Sequence, residues 1–193
     1  MSDTLVQSDV LKGGEFLIRD ARPEDIFIPE DLNEEQLMVK KMAQDFLDQD
    51  IYPNAQKIEK QQDNISATLL KRMGELGLLG AHMPAEYGGL ELDTNTNTLI
   101  TEVFGPMGSF SVPFAAHTGI GMLPILYFGT EAQKQHYLPG LISGDIKAAY
   151  CLTEPGSGSD ALNAKTRADL SADGSHYVLN GQKMWISNAG FAD

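Results

Sequence analysis

The residues best suited by type and spacing to do chemistry lie in one stretch, YCLTEPGSGSD, from Tyr150 to Asp160. Pro155 fixes one backbone angle, while Gly156 and Gly158 permit positive φ and a close approach of backbone to a ligand. Glycines leave N–H groups uncovered, and Thr153, Ser157 and Ser159 add hydroxyls, so the loop has the means to wrap a bound molecule. Its carboxylates, Glu154 and Asp160, read as cap or turn contacts rather than an acid–base pair, because a carboxylate beside proline or at a short helix start usually serves the backbone. Taken alone, a glycine–serine loop is a weak signal, since most such loops are ordinary turns. His117, inside an apolar run, reads as a buried, hydrogen-bonded histidine rather than a catalyst. Cys151, the single cysteine, reads as inert packing within an apolar strand.

The elements that must hold this stretch change character along the chain. Residues 1–32 show no sustained period and read as an extension. Asn33 is a good N-cap, with Gln36 three residues on and Glu34 and Glu35 in the first turn. Met38, Met42 and Phe46 form one row and Val39, Ala43 and Leu47 its neighbour, which predicts an amphipathic helix. Pro53 should end or kink it after Tyr52. A second helix is expected from Ser66, turning Leu69, Met73 and Leu76 inward until Gly77. The turn-rich MPAEYGG at 83–89 leads to a third helix after Thr94, with Leu99, Ile100, Val103 and Phe104 on its core side. A fourth occupies 110–128. Thr130, paired with Gln133, caps a fifth that Pro139 and Gly140 should close.

After Ser143-Gly144-Asp145 the period switches to strands, at 147–153, 164–170, 176–179 and 182–187, with Asp173-Gly174 and Asn180-Gly181 as hairpin-type turns. Helices followed by strands predict an α+β chain: an extension over 1–32, a helical domain over 33–144 and a β domain opening at 145–193. Three or four strands leave unpaired edges that need a partner, so the expectation is that the β domain is only begun here.

Composition narrows the partners. A net charge of −13 argues against nucleic acid and anionic membrane surfaces. One cysteine suits a reducing compartment, and the early Asp3, Asp9 and Glu15 fit neither a signal nor a transit peptide, so a cytoplasmic protein is expected. The apolar region from Phe110 to Phe128 is interrupted by Ser111, Pro113, His117, Thr118 and Pro124 and reads as buried helix, not a transmembrane segment. No metal-ligand set stands out.

Together, CLTEPGSGSDA at 151–161 and NGQKMWISNAGFAD at 180–193 resemble the acyl-CoA dehydrogenase family. The resemblance extends through FGTEAQKQHYLPGLISGD at 128–145 and MPAEYGG at 83–89, and covers roughly residue 33 onward. It implies a helical domain, a barrel- or sandwich-like middle β domain of which this chain holds the opening part, and a C-terminal helical bundle absent from the chain. It implies FAD as cofactor. Tyr150, Leu152 and Thr153 match the strand end holding the flavin ring, the Thr153 hydroxyl lying near the flavin N5 edge. Gly158 and Ser159 match the loop where flavin and substrate thioester meet. Trp185 matches the aromatic residue covering the flavin face opposite the substrate, and Ile186 and Ser187 match its flanking contacts. The family commonly has threonine at the position of Ser187, and the hydroxyl is kept.

The activity implied is removal of an α proton and a β hydride from an acyl-CoA thioester, giving the trans-2-enoyl thioester, as in fatty acid β-oxidation. The base is a glutamate of the C-terminal bundle in family members, and no residue here matches its motif. The alternatives are a non-catalytic chain or binding module, and oxidase chemistry on the same fold. PFAAHTGIG at 113–121 resembles the acyl-pocket wall of long-chain members, with Ala115, Ala116, Gly119 and Gly121 leaving room for a longer tail. Close helix packing explains small residues equally well. The resemblance further implies a homo-oligomer and electron-transferring flavoprotein as oxidant.

Overall fold

The computed structural model describes Leu11 and residues 13–193. It separates into two compact units, residues 1–38 and 39–193. Part of the extension expected over 1–32 lies outside the described residues. In what is described of the first unit, 3₁₀ turns form at Glu15–Leu17, Pro23–Asp25 and Pro29–Asp31. Arg22 closes the second turn on Asp25 at 2.7 Å. Helix α1, Glu34–Phe46, then starts on the capping box that the sequence predicts. The Gln36 N–H donates to Asn33 Oδ1 at 2.9 Å, and the Asn33 N–H donates to Gln36 Oε1 at 3.0 Å.

In the second unit, α1 continues as a π turn, Leu47–Ile51, and a 3₁₀ turn, Tyr52–Asn54, into α2, Ala55–Glu59. Pro53 therefore bends the helix without ending it. Its missing N–H falls in the 3₁₀ turn directly after the wider π turn, which is where a helix tolerates the loss. Helices α3, Ile65–Glu75, and α4, Thr94–Phe104, follow, the latter capped by Asp93 through the N–H groups of Asn95 and Thr96. Next come α5, Gly108–Ala115, a π turn Ala116–Gly121, and α6, Leu123–Phe128. This continuous run, Gly108–Phe128, is long and apolar enough to cross a membrane by length and composition. It buries Phe110, Phe114, His117 and Met122, while Val112, Ile120, Tyr127 and Phe128 are exposed.

The main core joins Val39, Ala43, Phe46, Leu47 and Ile51 to Leu69, Leu70 and Met73 of α3, Ile100 and Phe104 of α4, and Phe110 and Phe114 of α5. Phe104 is its centre. Its ring meets Phe114 at 5.3 Å, and Phe46 and Phe110 at 6.4 Å each, all edge to face. A second cluster gathers Met83, Tyr87, Met122, Leu138, Leu141 and Ile142. Tyr87, from MPAEYGG, donates its hydroxyl to Glu131 at 3.2 Å, and burial with that carboxylate pushes the phenol up to about 12.

Helix α7, Glu131–Ile142, begins on the Thr130–Gln133 capping box as expected but runs through Pro139 and Gly140. It ends at Gly144, whose φ is +70° and where a Cβ would lie 2.8 Å from the Leu70 carbonyl oxygen. Backbone angle and close approach to α3 both require glycine there. Four inward residues of the sequence reading are less buried than expected: Met38 and Leu76 are exposed, and Met42 and Leu99 are half-buried.

The β content is a single hairpin among the described residues. Strands β1, Arg167–Leu170, and β2, Tyr177–Asn180, pair antiparallel from Arg167↔Asn180 to Leu170↔Tyr177. The Asp173-Gly174 turn joins them, with Asp173 Oδ1 accepting from Ser171 Oγ at 2.6 Å and the Ser175 N–H at 3.1 Å. All eight strand residues are exposed. The α+β class and the order of helices then strands hold. Two expected strands do not form, at 147–153 and 182–187, and Asn180-Gly181 closes no second hairpin. The physical reason lies in who partners the backbone. Around 147–153 side chains take the bonds that a neighbouring strand would supply.

Candidate functional site

Those side-chain bonds build the site. The Lys147 N–H donates to Asp193 Oδ2 at 2.8 Å, and the Ala148 N–H donates to His117 Nδ1 at 3.1 Å. The Ala148 carbonyl accepts from Asn188 Nδ2 at 3.1 Å, and the Leu152 carbonyl accepts from Lys183 Nζ at 3.0 Å. Two backbone bonds complete the pairing: Met184 N–H to the Thr153 carbonyl at 2.9 Å, and Asp193 N–H to the Lys147 carbonyl at 3.0 Å. Residues 147–154 and 183–193, distant in sequence, thus lie side by side. Cys151 is exposed, not buried, because the segment carrying it is a surface run instead of a core strand.

Glu154 lies at the centre of this pairing and is 7 % exposed. Its carboxylate accepts from Lys183 Nζ at 2.8 Å, the Lys165 N–H at 2.7 Å and the Thr166 N–H at 3.0 Å. The Lys183 ammonium foremost, with those backbone donors, holds the Glu154 carboxyl down to about 2. The glycine loop is tied to itself. Glu154 and Ser157 exchange backbone bonds at 2.9 and 3.1 Å, and buried Ser157 donates its hydroxyl to the Asp160 carbonyl at 2.7 Å. Ser157 is therefore spent on the loop. Gly156 and Gly158 do not adopt positive φ, but both are exposed and a Cβ on either would meet nothing within 4 Å. Their backbone is open to a ligand.

Trp185 is the least ordinary residue of the site. It is 85 % exposed and its φ is +56°, a left-handed conformation that a bulky residue adopts only under constraint. The Met184–Thr153 bond sets its backbone next to that of Thr153, which is half-buried. Tyr150 and Leu152, at 41 % and 42 % exposure, and Ser159 and Ser187 are also open to solvent. Ile186 and Ser187 form part of the wall of a cavity of about 570 Å³, facing Ile65, Val112 and Pro113. Asn188, buried with φ +69°, extends that wall and ties Ala148 and Pro113 together through its Nδ2.

The structure therefore brings Tyr150, Leu152 and Thr153 together with Trp185, Ile186 and Ser187. Gly158 and Ser159 belong to the adjoining loop. It does not bring Ala115 and Ala116 to the cavity wall: Ala115 is exposed and Ala116 is buried in the core. The small residues of 113–121 divide. A Cβ at Gly121 would lie 2.5 Å from that of Ala148, so this glycine serves close packing, whereas Gly119 faces open space. Sequence reasoning missed Lys183 and Asn188. The signal for Lys183 was a lone cation two residues beyond the Asn180-Gly181 step, opposite the buried Glu154 only once the chain has folded.

His117 is fully buried and joins the helices to the site. Its Nε2–H donates to the Leu141 carbonyl at 2.9 Å while Nδ1 accepts from Ala148. Burial foremost, with nearby Lys147, lowers its pKa from 6.5. The unfolded histidine thus takes up a proton first on acidification. Stability is expected to be full above about pH 6.5 and to fall as pH drops below it. Melting temperatures measured across that range should show the decline, and His117→Gln should flatten it. Glu154 and Asp173, both held at about 2, act lower: their contributions are lost as pH falls from the ordinary carboxylate range toward 2.

Comparison with known proteins identifies the family. Residues 33–145 match the family described as acyl-CoA dehydrogenase, N-terminal domain, and residues 149–193 match acyl-CoA dehydrogenase, middle domain. A probable acyl-CoA dehydrogenase of Bacillus subtilis (strain 168) is 55 % identical over 186 residues, which is 96 % of this chain and 31 % of that protein. The human mitochondrial very long-chain specific acyl-CoA dehydrogenase is 45 % identical over 130 residues, 67 % of this chain and 20 % of its own length. The crystal structure of an acyl-CoA dehydrogenase complexed with FAD from Bacillus anthracis superposes with a TM-score of 0.90 at 50 % identity, over 95 % of this chain and 32 % of that one. The chain thus spans about a third, or less, of these relatives.

Proposed function

The chain belongs to the acyl-CoA dehydrogenase family, and from that premise we propose that it provides one side of an FAD site in an enzyme converting acyl-CoA thioesters to trans-2-enoyl-CoA. The observation that carries this reading is the strained, exposed Trp185 pinned beside Thr153. A large aromatic face held ready in solvent at a cost of about 1–3 kcal/mol has a use when a flat ring system stacks on it. The open Gly156 and Gly158 fit the same cofactor, since neither carries a side chain to exclude it.

When bound, the flavin supplies the two-electron acceptor for the hydride that leaves the substrate β carbon. The residues of this chain hold and orient. Trp185 covers one ring face, Tyr150 and Leu152 line the approach, and the Thr153 hydroxyl donates toward the ring edge. Ile186 and Ser187 flank it, and Gly158 and Ser159 receive the region where the thioester enters. Neither carboxylate of the loop is assigned the α proton. A group held at about 2, as Glu154 is, makes a feeble base at neutral pH, and Asp160 is an exposed residue at a turn.

On the same premise the enzyme acts in fatty acid β-oxidation in the cytoplasm, as a homo-oligomer that passes electrons to electron-transferring flavoprotein. The domains divide at residues 144 and 145. Likeness to the human very long-chain relative and the open Gly119 support longer acyl chains.

The test compares the 193-residue chain with a chimera carrying the remaining residues of the Bacillus subtilis relative. The short chain should bind FAD weakly or not at all. The chimera should hold it stoichiometrically and lose flavin absorbance on anaerobic addition of C16 acyl-CoA. A flavin-loaded chimera that no acyl-CoA bleaches would overturn the activity, and bleaching by C4 but not C16 thioesters would overturn the chain-length preference.

A further inference from the structure

His117 is satisfied at both nitrogens, and the exposed hairpin has nothing covering it. The ion pair Lys183–Glu154 joins a half-buried ammonium to a buried carboxylate, connects two distant segments, and lies directly beside the residues assigned to the cofactor.

We infer that Glu154 and Lys183 are positioning residues that set the relative placement of Thr153 and Trp185. This inference rests on the reading of those two residues as cofactor contacts, and neither Glu154 nor Lys183 touches the cofactor itself. Residues 147–153 and 182–187 form no continuous ladder, so register there is not fixed by strand pairing. It is fixed by a few bonds. Lys183 Nζ reaches across to the Leu152 carbonyl at 3.0 Å and to Glu154 Oε1 at 2.8 Å, bracketing Thr153 from both sides. The Met184 N–H then meets the Thr153 carbonyl at 2.9 Å, one residue before Trp185. Glu154 carries a second task. Its two oxygens collect the N–H groups of Lys165 and Thr166, anchoring the far end of the loop that begins at Pro155. A buried carboxylate with one ammonium and two N–H donors has its acceptor capacity well used. No neutral side chain of that shape offers the same acceptors.

The two residues are therefore unequal. Glu154→Gln replaces one acceptor oxygen by an amide NH₂, which meets either the Lys165 N–H or the Thr166 N–H and Lys183 ammonium, so it should disturb the loop or the register. Lys183→Met leaves Glu154 its two N–H bonds but removes the bracket around Thr153. Exchanging the charges, Glu154→Lys with Lys183→Glu, should not rescue, because the Lys165 and Thr166 donors then face a cation.

The experiment uses the full chain and exploits Trp185 being its single tryptophan. In both single variants the Met184 amide should exchange hydrogen at least tenfold faster, and Trp185 fluorescence anisotropy should fall, with helical circular dichroism unchanged. The Lys165 or the Thr166 amide should exchange faster in Glu154→Gln only. FAD affinity, measured by flavin titration of the chimera with and without each substitution, should weaken at least tenfold in both variants. Unchanged Met184 exchange and Trp185 anisotropy would overturn the inference. So would faster exchange with FAD affinity identical to that of the parent chimera, since the pair would then be structural alone. If the parent chimera itself takes up no FAD, the cofactor reading fails, while exchange and anisotropy in the 193-residue chain still decide whether the pair places Trp185.

Discussion

Replacing Trp185 with alanine should leave the melting temperature within about a degree of the parent and weaken FAD binding roughly 30- to 150-fold. The two halves of that expectation come from one fact. The side chain is 85 % exposed, so the folded protein gains almost nothing from it, and removing it opens no cavity. Against a flavin the account reverses. Covering about 100 Å² of apolar ring is worth about 2.5 kcal/mol at 25 cal/mol/Å². A stacked geometry adds about 1 kcal/mol, and ordering the side chain takes some of this back. A net of about 2 to 3 kcal/mol gives the stated range. Flavin titration of the chimera, paired with a thermal melt, measures both halves. Trp185→Phe should fall between parent and alanine. An unchanged dissociation constant, or a melting temperature lowered by many degrees, would place Trp185 in the packing and not at the cofactor.

Phe104→Ala should produce the largest loss of stability. Phe104 is fully buried and its ring is shared among Phe46, Phe110 and Phe114, so truncation leaves a hole bounded by three helical segments. Phenylalanine-to-alanine changes in such cores cost about 3–5 kcal/mol. For a chain of this size that corresponds to a melting temperature lower by about 10 °C. Calorimetry would read it directly. Phe104→Leu, which keeps most of the volume, should lose less than half as much. A small effect of the alanine variant would mean that α4 and α5 can collapse onto each other, contrary to the rigid edge-to-face cluster seen here.

The helices were legible because their signals are local. Asn33–Gln36 and Thr130–Gln133 are capping boxes within four residues, and each starts its helix where expected. Helix ends were harder. Pro53 and Pro139 both sit inside helical runs, the first absorbed by a π and a 3₁₀ turn and the second by α7 itself. The strands at 147–153 and 182–187 were misread for a different reason. Their apolar residues have the composition of strands, but the backbone is partnered by His117, Lys183, Asn188 and Asp193 from far along the chain. No window of sequence contains those contacts. The same holds for Glu154: a carboxylate beside proline suggested a turn contact, which the fold provides, but its ion pair with Lys183 spans 29 residues. Cys151 followed its segment, from expected core to surface.

The hairpin of β1 and β2 has eight residues, all exposed, Leu170, Tyr177, Val178 and Leu179 among them. Unfolding it uncovers little apolar surface, so its opening is only weakly coupled to the melting of the helical core. In hydrogen exchange and limited proteolysis the chain behaves as two materials, a cooperative α-helical block and a ribbon that frays on its own. The ribbon's outer edges present unpaired strand donors and acceptors beside apolar side chains, the arrangement through which chains adhere to one another. These eight residues thus add to the chain's tendency to self-associate, while its thermal stability rests with the helices.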